Sequence, residues 1–336
     1  MKLIVFLLFI VNLGNVPEPG PDGSLFLLFW NVENFFDWRD DEQSDSPSDA
    51  EFSSFGVRRW TRRKFHAKCA AVAKTILWTA AVQGRLPDAV GLAEVENRFV
   101  LEQLLQTTAL RKLDYRIVHF ESPDHRGIDV ALLYRASRFR LLHAEPLRVR
   151  APAGASDTLR TRDILLVTLS VLPEEGRRLA LLVNHHPSKY GGAGTDWRRE
   201  VALQRLREAA DSLQAVGWPH IVAMGDFNDT PDRAAFSRLA PDPARPENGL
   251  VSCADSLFRK GEGSIRYDGR WELIDLFFVS ESLRDRSEMQ LLRVPFLTVR
   301  DNAHAGEKPL RTYSGPRYLG GVSDHRPVAL RLDFPH

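Results

Sequence analysis

Six polar segments of this 336-residue chain carry residue types suited to hydrolytic chemistry at a metal ion, and each lies at or near an end of an apolar run. One such group at a strand end most often forms a cap or a turn. Six together favour a shared site, because catalytic groups of layered α/β proteins collect where strand ends meet. A set rich in carboxylate, amide and imidazole predicts a site for a hard cation. The segments are Asn31, Glu94, Asn184-His185, Asp226 with Asn228, Asp275 and Asp324-His325.

The motifs of several other reaction classes are missing from the sequence. It has no thiolate cluster for zinc, no Gly-Lys-Ser/Thr loop for nucleotide phosphates and no Gly-x-Ser-x-Gly elbow for acyl transfer. Residues 191–194 are rich in glycine but lack the spacing of a dinucleotide fingerprint, so we interpret them as a flexible loop. Cys69 and Cys253 have no metal-type spacing and are interpreted as buried thiols; export would also permit a disulfide between them.

The rest of the chain predicts the elements that must position these groups. Several strands between residues 115 and 185 follow one another without a helix, and βα units flank them. This order favours an α/β fold of two packed mixed sheets with helices outside over a doubly wound parallel sheet. No repeat and no long Gly/Ser linker divides residues 24–334, which we interpret as one domain. Apolar runs predict strands at 24–32, 88–95, 115–120, 128–134, 164–172, 179–185, 220–227, 273–280 and 327–332, and helical patterns predict helices at 61–82, 99–108 and 197–216, the last capped by Asp196.

Composition indicates an ordinary globular protein. Hydrophobic residues make up 43% of the chain, and 45 Lys and Arg residues balance 44 Asp and Glu residues. That content excludes a largely disordered chain, and a net charge of +1 argues against a protein that holds nucleic acid by charge alone. We interpret residues 37–51 as a solvated acidic loop. The basic residues around Trp60 within 58–64 could track a phosphate backbone, or they form a solvated face at the start of a helix.

The N-terminus has the pattern of an export signal. Lys2 precedes an apolar run at residues 3–11, which has about half of the ~20 residues needed to cross a bilayer and fits the hydrophobic part of a secretory signal peptide. We therefore predict a signal peptide at residues 1–16 and a periplasmic or extracellular protein, with a buried first strand as the alternative. No later stretch is apolar enough to span a membrane, so we expect no stable membrane association.

The chain resembles the endonuclease/exonuclease/phosphatase superfamily, which includes pancreatic-type deoxyribonucleases, abasic-site endonucleases, inositol polyphosphate phosphatases and neutral sphingomyelinases. The resemblance extends from about residue 25 to 332, and the stretches at 30–37, 126–131, 184–189 and 320–325 are similar to an exported bacterial branch. It implies a four-layer α/β/β/α sandwich of two mixed β-sheets flanked by helices, with the site at one edge of the sheets. The motifs that carry it are Asn31, Gly91-Leu92-Ala93-Glu94, Asn184-His185, Gly225-Asp226-Phe227-Asn228, Ile274-Asp275 and Ser323-Asp324-His325.

The resemblance also implies a divalent-metal-dependent phosphoester hydrolase. We expect Mg²⁺ as the cofactor, with Mn²⁺ or Ca²⁺ as alternatives. Glu94 is the first expected metal ligand, because a carboxylate at a strand end is the oxygen donor that Mg²⁺ prefers. Asn31 and Asp324 would complete or bridge the metal shell.

The remaining strand-end groups are the expected catalytic residues. His325 would act as general base or phosphate contact, and Asp275 would fix its tautomer and stabilise the imidazolium. Asp226 would orient or deprotonate the attacking water, and Asn228 would hold a phosphate oxygen. His185 is assigned to the phosphate or the leaving group. Which of Asp226 and His325 accepts the proton stays open, since groups coupled around a metal share their titration.

Four further residues are candidates for contact with the substrate. His186 follows His185 and could take its role, but His185 is preferred for its place in the family motif. Arg126, Ser188 and Lys189 are candidate phosphate contacts, with an ordinary surface role equally open.

We expect the substrate to be nucleic acid, cleaved by a secreted or periplasmic endonuclease through attack of a metal-activated water. A phosphatase or phospholipase that acts on a small-molecule or lipid phosphoester is the alternative, although no aromatic-rich hairpin that could insert into a membrane is evident. A non-catalytic binding module on the same scaffold is a second alternative. Against it, none of Glu94, Asp226, Asp275 and His325 is missing.

Overall fold

The computed structural model describes residues 23–40, 46–152, 154, 159–173, 176–189, 192–244 and 248–335. The signal peptide expected at residues 1–16 lies outside the described residues and stays a prediction. Among the helices of the described ranges, none combines the length and the apolar character needed to cross a membrane.

Two six-stranded mixed sheets form the centre of the fold. Each sheet has one parallel pair of neighbouring strands, and its other neighbouring pairs are antiparallel. The parallel pairs are β1 (Ser24–Phe35) with β2 (Ala89–Val95) and β7 (Arg178–His185) with β8 (Ile221–Asp226). The first sheet has the spatial order β13 (Ser287–Leu291), β18 (Val328–Asp333), β1 (Ser24–Phe35), β2 (Ala89–Val95), β4 (Asp129–Arg135) and β3 (Tyr115–His119). The second has the order β5 (Phe139–Leu147), β6 (Ile164–Val171), β7 (Arg178–His185), β8 (Ile221–Asp226), β12 (Asp275–Ser280) and β9 (Leu250–Ser252).

Helices and three small hairpins complete the described elements. The hairpins pair β10 (Ile265–Tyr267) with β11 (Arg270–Glu272), β14 (Thr298–Arg300) with β15 (Glu307–Pro309), and β16 (Tyr313–Ser314) with β17 (Arg317–Tyr318). The α-helices are α1 (Pro47–Glu51), α2 (Arg62–Gln83), α3 (Arg98–Thr107), α4 (Asp196–Ala215) and α5 (Asp255–Arg259). Short 3₁₀ helices lie at Ala109–Lys112, Gly192–Thr195, Ala234–Arg238, Glu281–Arg286 and Pro295–Leu297.

Strand β1 is buried on both faces, as its continuous apolar run predicts. Leu27 and Phe29 join a core cluster that includes residues of both sheets and Leu203 of α4. Leu28 and Trp30 join a second core under α2 and α3. The alternation of side chains along one strand therefore supplies two cores, and the α/β fold of two mixed sheets flanked by helices is confirmed.

The three long helices each match their predicted range within one residue at either end. Thr61 caps α2 through its side chain, and Gly84 ends the helix in the left-handed conformation. Asp196 is not the cap of α4 but its first residue, and its carboxylate pairs with Arg199 and Arg233 instead. That prediction was wrong by one position, because the helix begins at Asp196 and Thr195 occupies the N-cap position.

Strand β5 was not predicted, because most of its side chains are exposed and its sequence is not an apolar run. It forms one edge of the second sheet, and among the described strands it pairs only with β6. An edge strand with one solvated side needs few hydrophobic residues, so hydrophobic patterning does not detect it.

The segment at residues 37–51 is not simply a solvated acidic loop. Asp37 and Asp49 are buried, at 2% and 4% exposure, and both carboxyl groups lie beside Glu96. Glu96 Oε2 accepts the Asp37 N–H at 2.7 Å. Burial raises the pKa of Glu96 to about 10, and the neighbouring carboxylates of Asp37 and Asp49 add to the effect. The interpretation is therefore wrong for these two residues, which form part of a buried acidic group.

The basic segment at residues 58–64 does not present its aromatic residue to a ligand. Trp60 is fully buried, and its Nε1 donates to Phe36 O at 2.8 Å. Arg58 forms an ion pair with Glu51 at 2.6 Å. A nucleic-acid surface with an interleaved stacking ring is therefore excluded at this place, and exposed arginines remain.

Candidate active site

The polar strand ends meet at one edge of the two sheets. The parallel pair β7 and β8 ends at His185 and Asp226, and β12 begins at Asp275 directly opposite Asp226. In the first sheet Asn31 lies towards the end of β1, and Asn31 Nδ2 donates to Asp226 Oδ2 at 3.0 Å. This hydrogen bond joins the two sheets at the candidate site.

Asp226 Oδ2 is the point on which the site converges. It accepts the Asn31 hydrogen bond, and it lies 3.7 Å from His185 Nε2 and 3.8 Å from His325 Nε2. The two longer distances exceed those of a direct hydrogen bond. They match gaps that a water or a substrate oxygen can bridge.

His325 is held by Asp275. The Nδ1 of His325 lies 2.7 Å from Asp275 Oδ2, and both residues are buried. Burial alone would lower the pKa of His325, but the carboxylates of Asp275, Asp226 and Asp324 outweigh it and raise the pKa well above its usual value. The other oxygen of Asp275 is buried without a hydrogen-bond partner among the described residues.

The turn that carries His325 is hydrogen-bonded to β1. Ser323 Oγ donates to Asn31 O at 2.6 Å and accepts the His325 N–H at 2.9 Å. Trp30 Nε1 donates to His325 O at 2.9 Å. These hydrogen bonds of the Ser-Asp-His motif therefore position the imidazole relative to the first sheet.

Asp226 and Asn228 share a turn after β8. The Asn228 N–H donates to Asp226 Oδ1 at 2.9 Å, and Asn228 Nδ2 donates to His186 O at 2.9 Å. Asn228 has a φ of 52°, in the left-handed region that asparagine tolerates better than most residues. Burial raises the pKa of Asp226 to about 7, and the facing Asp275 carboxylate adds to the effect.

Glu94 lies in an irregular part of β2, where its φ is 63° and the register with β4 shifts. Its Oε2 accepts the Asn34 N–H at 2.8 Å and lies 3.3 Å from Arg126 Nη2. Burial would raise the pKa of Glu94, but Arg126 and the Asn34 N–H lower it overall. The strained backbone thus presents an ionised carboxylate at the site edge.

A second group of charges supports Asp324, and the sequence analysis missed it. Arg311 bonds Asp324 Oδ2 at 3.0 Å through Nη2 and Glu33 Oε1 at 3.0 Å through Nε. Lys68 is buried, donates to Glu33 O and to Thr312 Oγ1, and burial lowers its pKa to about 8. Glu33 could have been found by its place two residues after Asn31, whereas Arg311 lies in an irregular segment with no pattern.

Arg162 positions the end of β7 and was also missed. It donates to His185 O at 3.2 Å and to His186 O at 2.7 Å, and it pairs with the buried Asp124 at 2.9 Å. Burial and then Arg162 lower the pKa of His185 well below its usual value and that of His186 to about 3. The His186 ring packs on Phe227, with 4.7 Å between centroids, whereas the neighbouring His185 has its Nε2 facing Asp226.

The three candidate phosphate contacts lie in different surroundings. Arg126 reaches Glu94, and Ser188 lies with Arg126 in one pocket. Lys189 is half exposed and pairs with Glu272 at 3.0 Å. It lines a different pocket, so the structure does not bring it together with Arg126.

The donor set fits a hard divalent cation. The carboxylates of Glu94 and Asp324 and the amide of Asn31 supply oxygen, the ligand type of Mg²⁺, Mn²⁺ and Ca²⁺. Ligand atoms of Asp226, Asp275 and His325 also lie within 4.8 Å of one another. Because Asp275 and His325 are bonded to each other, we regard the oxygen donors as the better fit.

Gly225 is needed for the close approach of β7 and β8. A Cβ at this position would lie 2.4 Å from Asn184 O, closer than side-chain carbons come to backbone oxygens. We expect Gly225→Ala to lower the free energy of unfolding by about 1–3 kcal/mol, measured by denaturant unfolding. Gly194→Ala is the matched control, since nothing lies within 4 Å of its Cβ. Equal stability of the two variants would contradict the packing argument.

The comparisons with known proteins agree on a family. The chain matches the model of the Endonuclease/Exonuclease/phosphatase family over residues 26–333. A search of curated protein sequences finds no match.

Solved structures show the same fold at low identity. Truncated TDP2 of Caenorhabditis elegans is 14% identical with a TM-score of 0.54, covering 92% of this chain and 97% of that one. The human Nocturnin catalytic domain with bound sulfate is 18% identical, with a TM-score of 0.55 and coverages of 93% and 95%. A mannosyl-6-phosphatase of Bacteroides thetaiotaomicron is 14% identical, with a TM-score of 0.53 and coverages of 91% and 98%. At such identities the likeness establishes the fold alone.

Proposed function

The chain belongs to the endonuclease/exonuclease/phosphatase family, and from this premise we propose that it is a divalent-metal-dependent phosphodiester hydrolase that cleaves nucleic acid as an endonuclease. Its export to the periplasm or the medium is part of the proposal and depends on residues 1–16. Family members act on phosphoesters, so the coarse reaction class follows from membership, while the substrate is our inference.

One observation carries the proposal: side chains from both sheets converge on Asp226 Oδ2. Asn31 bonds it directly, and His185 and His325 face it across gaps of 3.7 and 3.8 Å. A water and a phosphate oxygen both need polar partners at such positions. The arrangement therefore suits the attack of water on a phosphorus atom.

A divalent cation held by Glu94, Asn31 and Asp324 would neutralise negative charge on the phosphate. Asp226 Oδ2 would accept a proton from the attacking water, because a buried carboxylate with a raised pKa is a stronger base. Asp275 would keep His325 in its imidazolium form, which donates a hydrogen bond to a phosphate oxygen. His185 stays neutral and would contact the phosphate or the leaving group through Nε2.

A substrate panel tests the proposal. Supercoiled plasmid, linear DNA, RNA, bis-p-nitrophenyl phosphate, p-nitrophenyl phosphate, sphingomyelin and inositol phosphates are incubated with the protein in Mg²⁺ and in EDTA. We expect nicking of the plasmid and release of p-nitrophenol from the diester with Mg²⁺, and neither with EDTA. Hydrolysis confined to phosphomonoesters or to the lipid would contradict the nuclease. Inactivity on every substrate with Mg²⁺, Mn²⁺ and Ca²⁺ would favour a binding module.

A further inference from the structure

A pocket of about 520 Å³ opens beside the candidate site and is strongly cationic. Among the described residues, four arginines line it and no acidic residue does: Arg126, Arg160, Arg162 and Arg198. His125 and the exposed Ser188 add further polar groups. Arginine guanidinium groups match the geometry of a phosphate, since two parallel N–H groups can bond two of its oxygens.

The pocket shares walls with the Asp226-centred site. Arg126 lines the pocket and its Nη2 lies 3.3 Å from Glu94 Oε2. Arg162 lines it too and holds the backbone oxygen of His185. Ser188 follows His185 by three residues on the same loop. A ligand in the pocket would therefore lie next to a phosphate bound at the candidate metal site.

Not all of this positive charge is compensated within the protein. Asp124 neutralises Arg162 at 2.9 Å, and Glu94 faces Arg126 at 3.3 Å. Arg160 is exposed, its Nε donates to Pro123 O at 3.3 Å, and no carboxylate pairs with it in the described part of the chain. The pocket thus presents a guanidinium that an anion from solution can reach.

Two other pockets of similar size have acidic residues in their described lining. The pocket beside Lys189 has three aspartates against one lysine and two arginines, so its formal charges cancel. The pocket beside α4 has four arginines, but Glu200 and Glu208 also line it and lower its formal charge. Among the described residues the arginine pocket therefore has the most positive lining of the three, which favours it as an anion site.

We propose that the arginine pocket is a subsite for a second phosphate group of the substrate, adjacent to the phosphodiester that is cleaved. The inference rests on the proposed function and adds a specificity to it. A second phosphate is present in the backbone of a nucleic acid and in a multiply phosphorylated small molecule. A substrate with a single phosphate would leave the Arg160 guanidinium without an anionic partner from the substrate, and it would bind less tightly.

Binding is measured first, because it does not require turnover. Calorimetric titration in Ca²⁺ compares thymidine 3′,5′-bisphosphate with thymidine 5′-monophosphate on the wild type, Arg160→Ala and Arg198→Ala. We expect the bisphosphate to bind the wild type about tenfold more tightly, and the advantage to fall at least about threefold in each variant. Arg205→Ala, on the surface of α4 and lining a different pocket, is the matched control and keeps the full advantage. Equal affinity of the two nucleotides for the wild type would overturn the subsite, as would an advantage that both variants retain.

Turnover then separates the subsite from the proposed function and identifies the source of the phosphate. The substrates are bis-p-nitrophenyl phosphate, the thymidine dinucleotide with and without a 5′-phosphate, and inositol bisphosphate. We expect Arg160→Ala to raise KM for the phosphorylated dinucleotide, with kcat little changed and bis-p-nitrophenyl phosphate hydrolysis unaffected. If Arg160→Ala instead raises KM for inositol bisphosphate alone, the pocket is assigned to multiply phosphorylated small molecules. If bis-p-nitrophenyl phosphate is cleaved but the 5′-phosphate does not lower KM for the dinucleotide, the subsite is contradicted and the proposed function is not. If bis-p-nitrophenyl phosphate is not cleaved, the proposed function is contradicted, and the calorimetric result still decides whether the pocket binds a second phosphate.

Discussion

Asp226→Asn is expected to lower kcat for phosphodiester hydrolysis by about 1,000-fold, within the range typical for removal of a general base. The amide keeps the shape of the side chain and its hydrogen bond to the Asn228 N–H, but it cannot take a proton from water. The variant loses the hydrogen bond from Asn31 Nδ2, because the amide NH₂ takes the place of Oδ2. Folding should still be preserved, because Asp226 directly faces Asp275 across β8 and β12 and burial disfavours its charge. The measurement is the initial rate with saturating Mg²⁺, beside a thermal unfolding curve.

The control for this variant is Asp211→Asn. Asp211 lies on α4, is 44% exposed and pairs with Arg207 at 2.8 Å, so it loses a similar charge far from the site. We expect wild-type kcat for it. A rate for Asp226→Asn within about tenfold of the wild type would remove Asp226 from the chemistry, provided both variants unfold at the wild-type temperature.

Glu94→Gln is expected to weaken metal binding, because the loss of a carboxylate ligand lowers the charge that holds a hard cation. The half-saturating Mg²⁺ concentration should rise about 100-fold or more, and Mn²⁺ binding followed by calorimetry should weaken in parallel. The calorimetric readout does not depend on activity. It therefore separates a lost ligand from a lost catalytic group.

Glu102→Gln serves as the control for Glu94→Gln. Glu102 lies on α3, is 40% exposed and pairs with Arg98 at 3.0 Å, so the same change removes an exposed carboxylate. We expect its metal affinity to equal that of the wild type. If Glu94→Gln binds Mn²⁺ as tightly as this control, Glu94 is not a metal ligand.

The sequence predicted the architecture well because hydrophobic patterning records what is buried. The continuous apolar run of β1 predicted a strand covered on both faces, and the two cores use both faces. Strand ends that carry Asn31, Asp226 and Asp275 predicted a shared edge, since parallel and antiparallel neighbours bring those ends together.

What the sequence could not predict depends on contacts between distant residues. Lys68 is one of several cations in a helical pattern, and its contacts with Glu33 and Thr312 exist only once α2 packs on the first sheet. Trp60 stands among arginines, yet its ring is buried and its Nε1 bonds Phe36 O. A buried Trp60 and a Trp60 exposed to a ligand would have the same neighbours in the sequence, so only the packing distinguishes the two.

The backbone irregularity at Glu94 is another feature that the sequence could not predict. Its positive φ and the register shift beside β4 turn the side chain toward Asn34 and Arg126. In a regular strand the side chains would continue to alternate between the two faces of the sheet at this position. Nothing in Gly-Leu-Ala-Glu indicates that this regular alternation ends here. Strain of this kind costs about 1–3 kcal/mol and is retained where the surrounding structure enforces it.

We expect the Asp226-centred site to hydrolyse phosphodiesters with a divalent cation. The nicking rate of supercoiled plasmid, measured for the wild type and for Asp226→Asn in Mg²⁺ and in EDTA, tests this expectation. The wild type should nick the plasmid in Mg²⁺ alone, with a rate about 1,000-fold lower for the variant. Nicking that persists in EDTA, or that Asp226→Asn carries out at the wild-type rate, would contradict it.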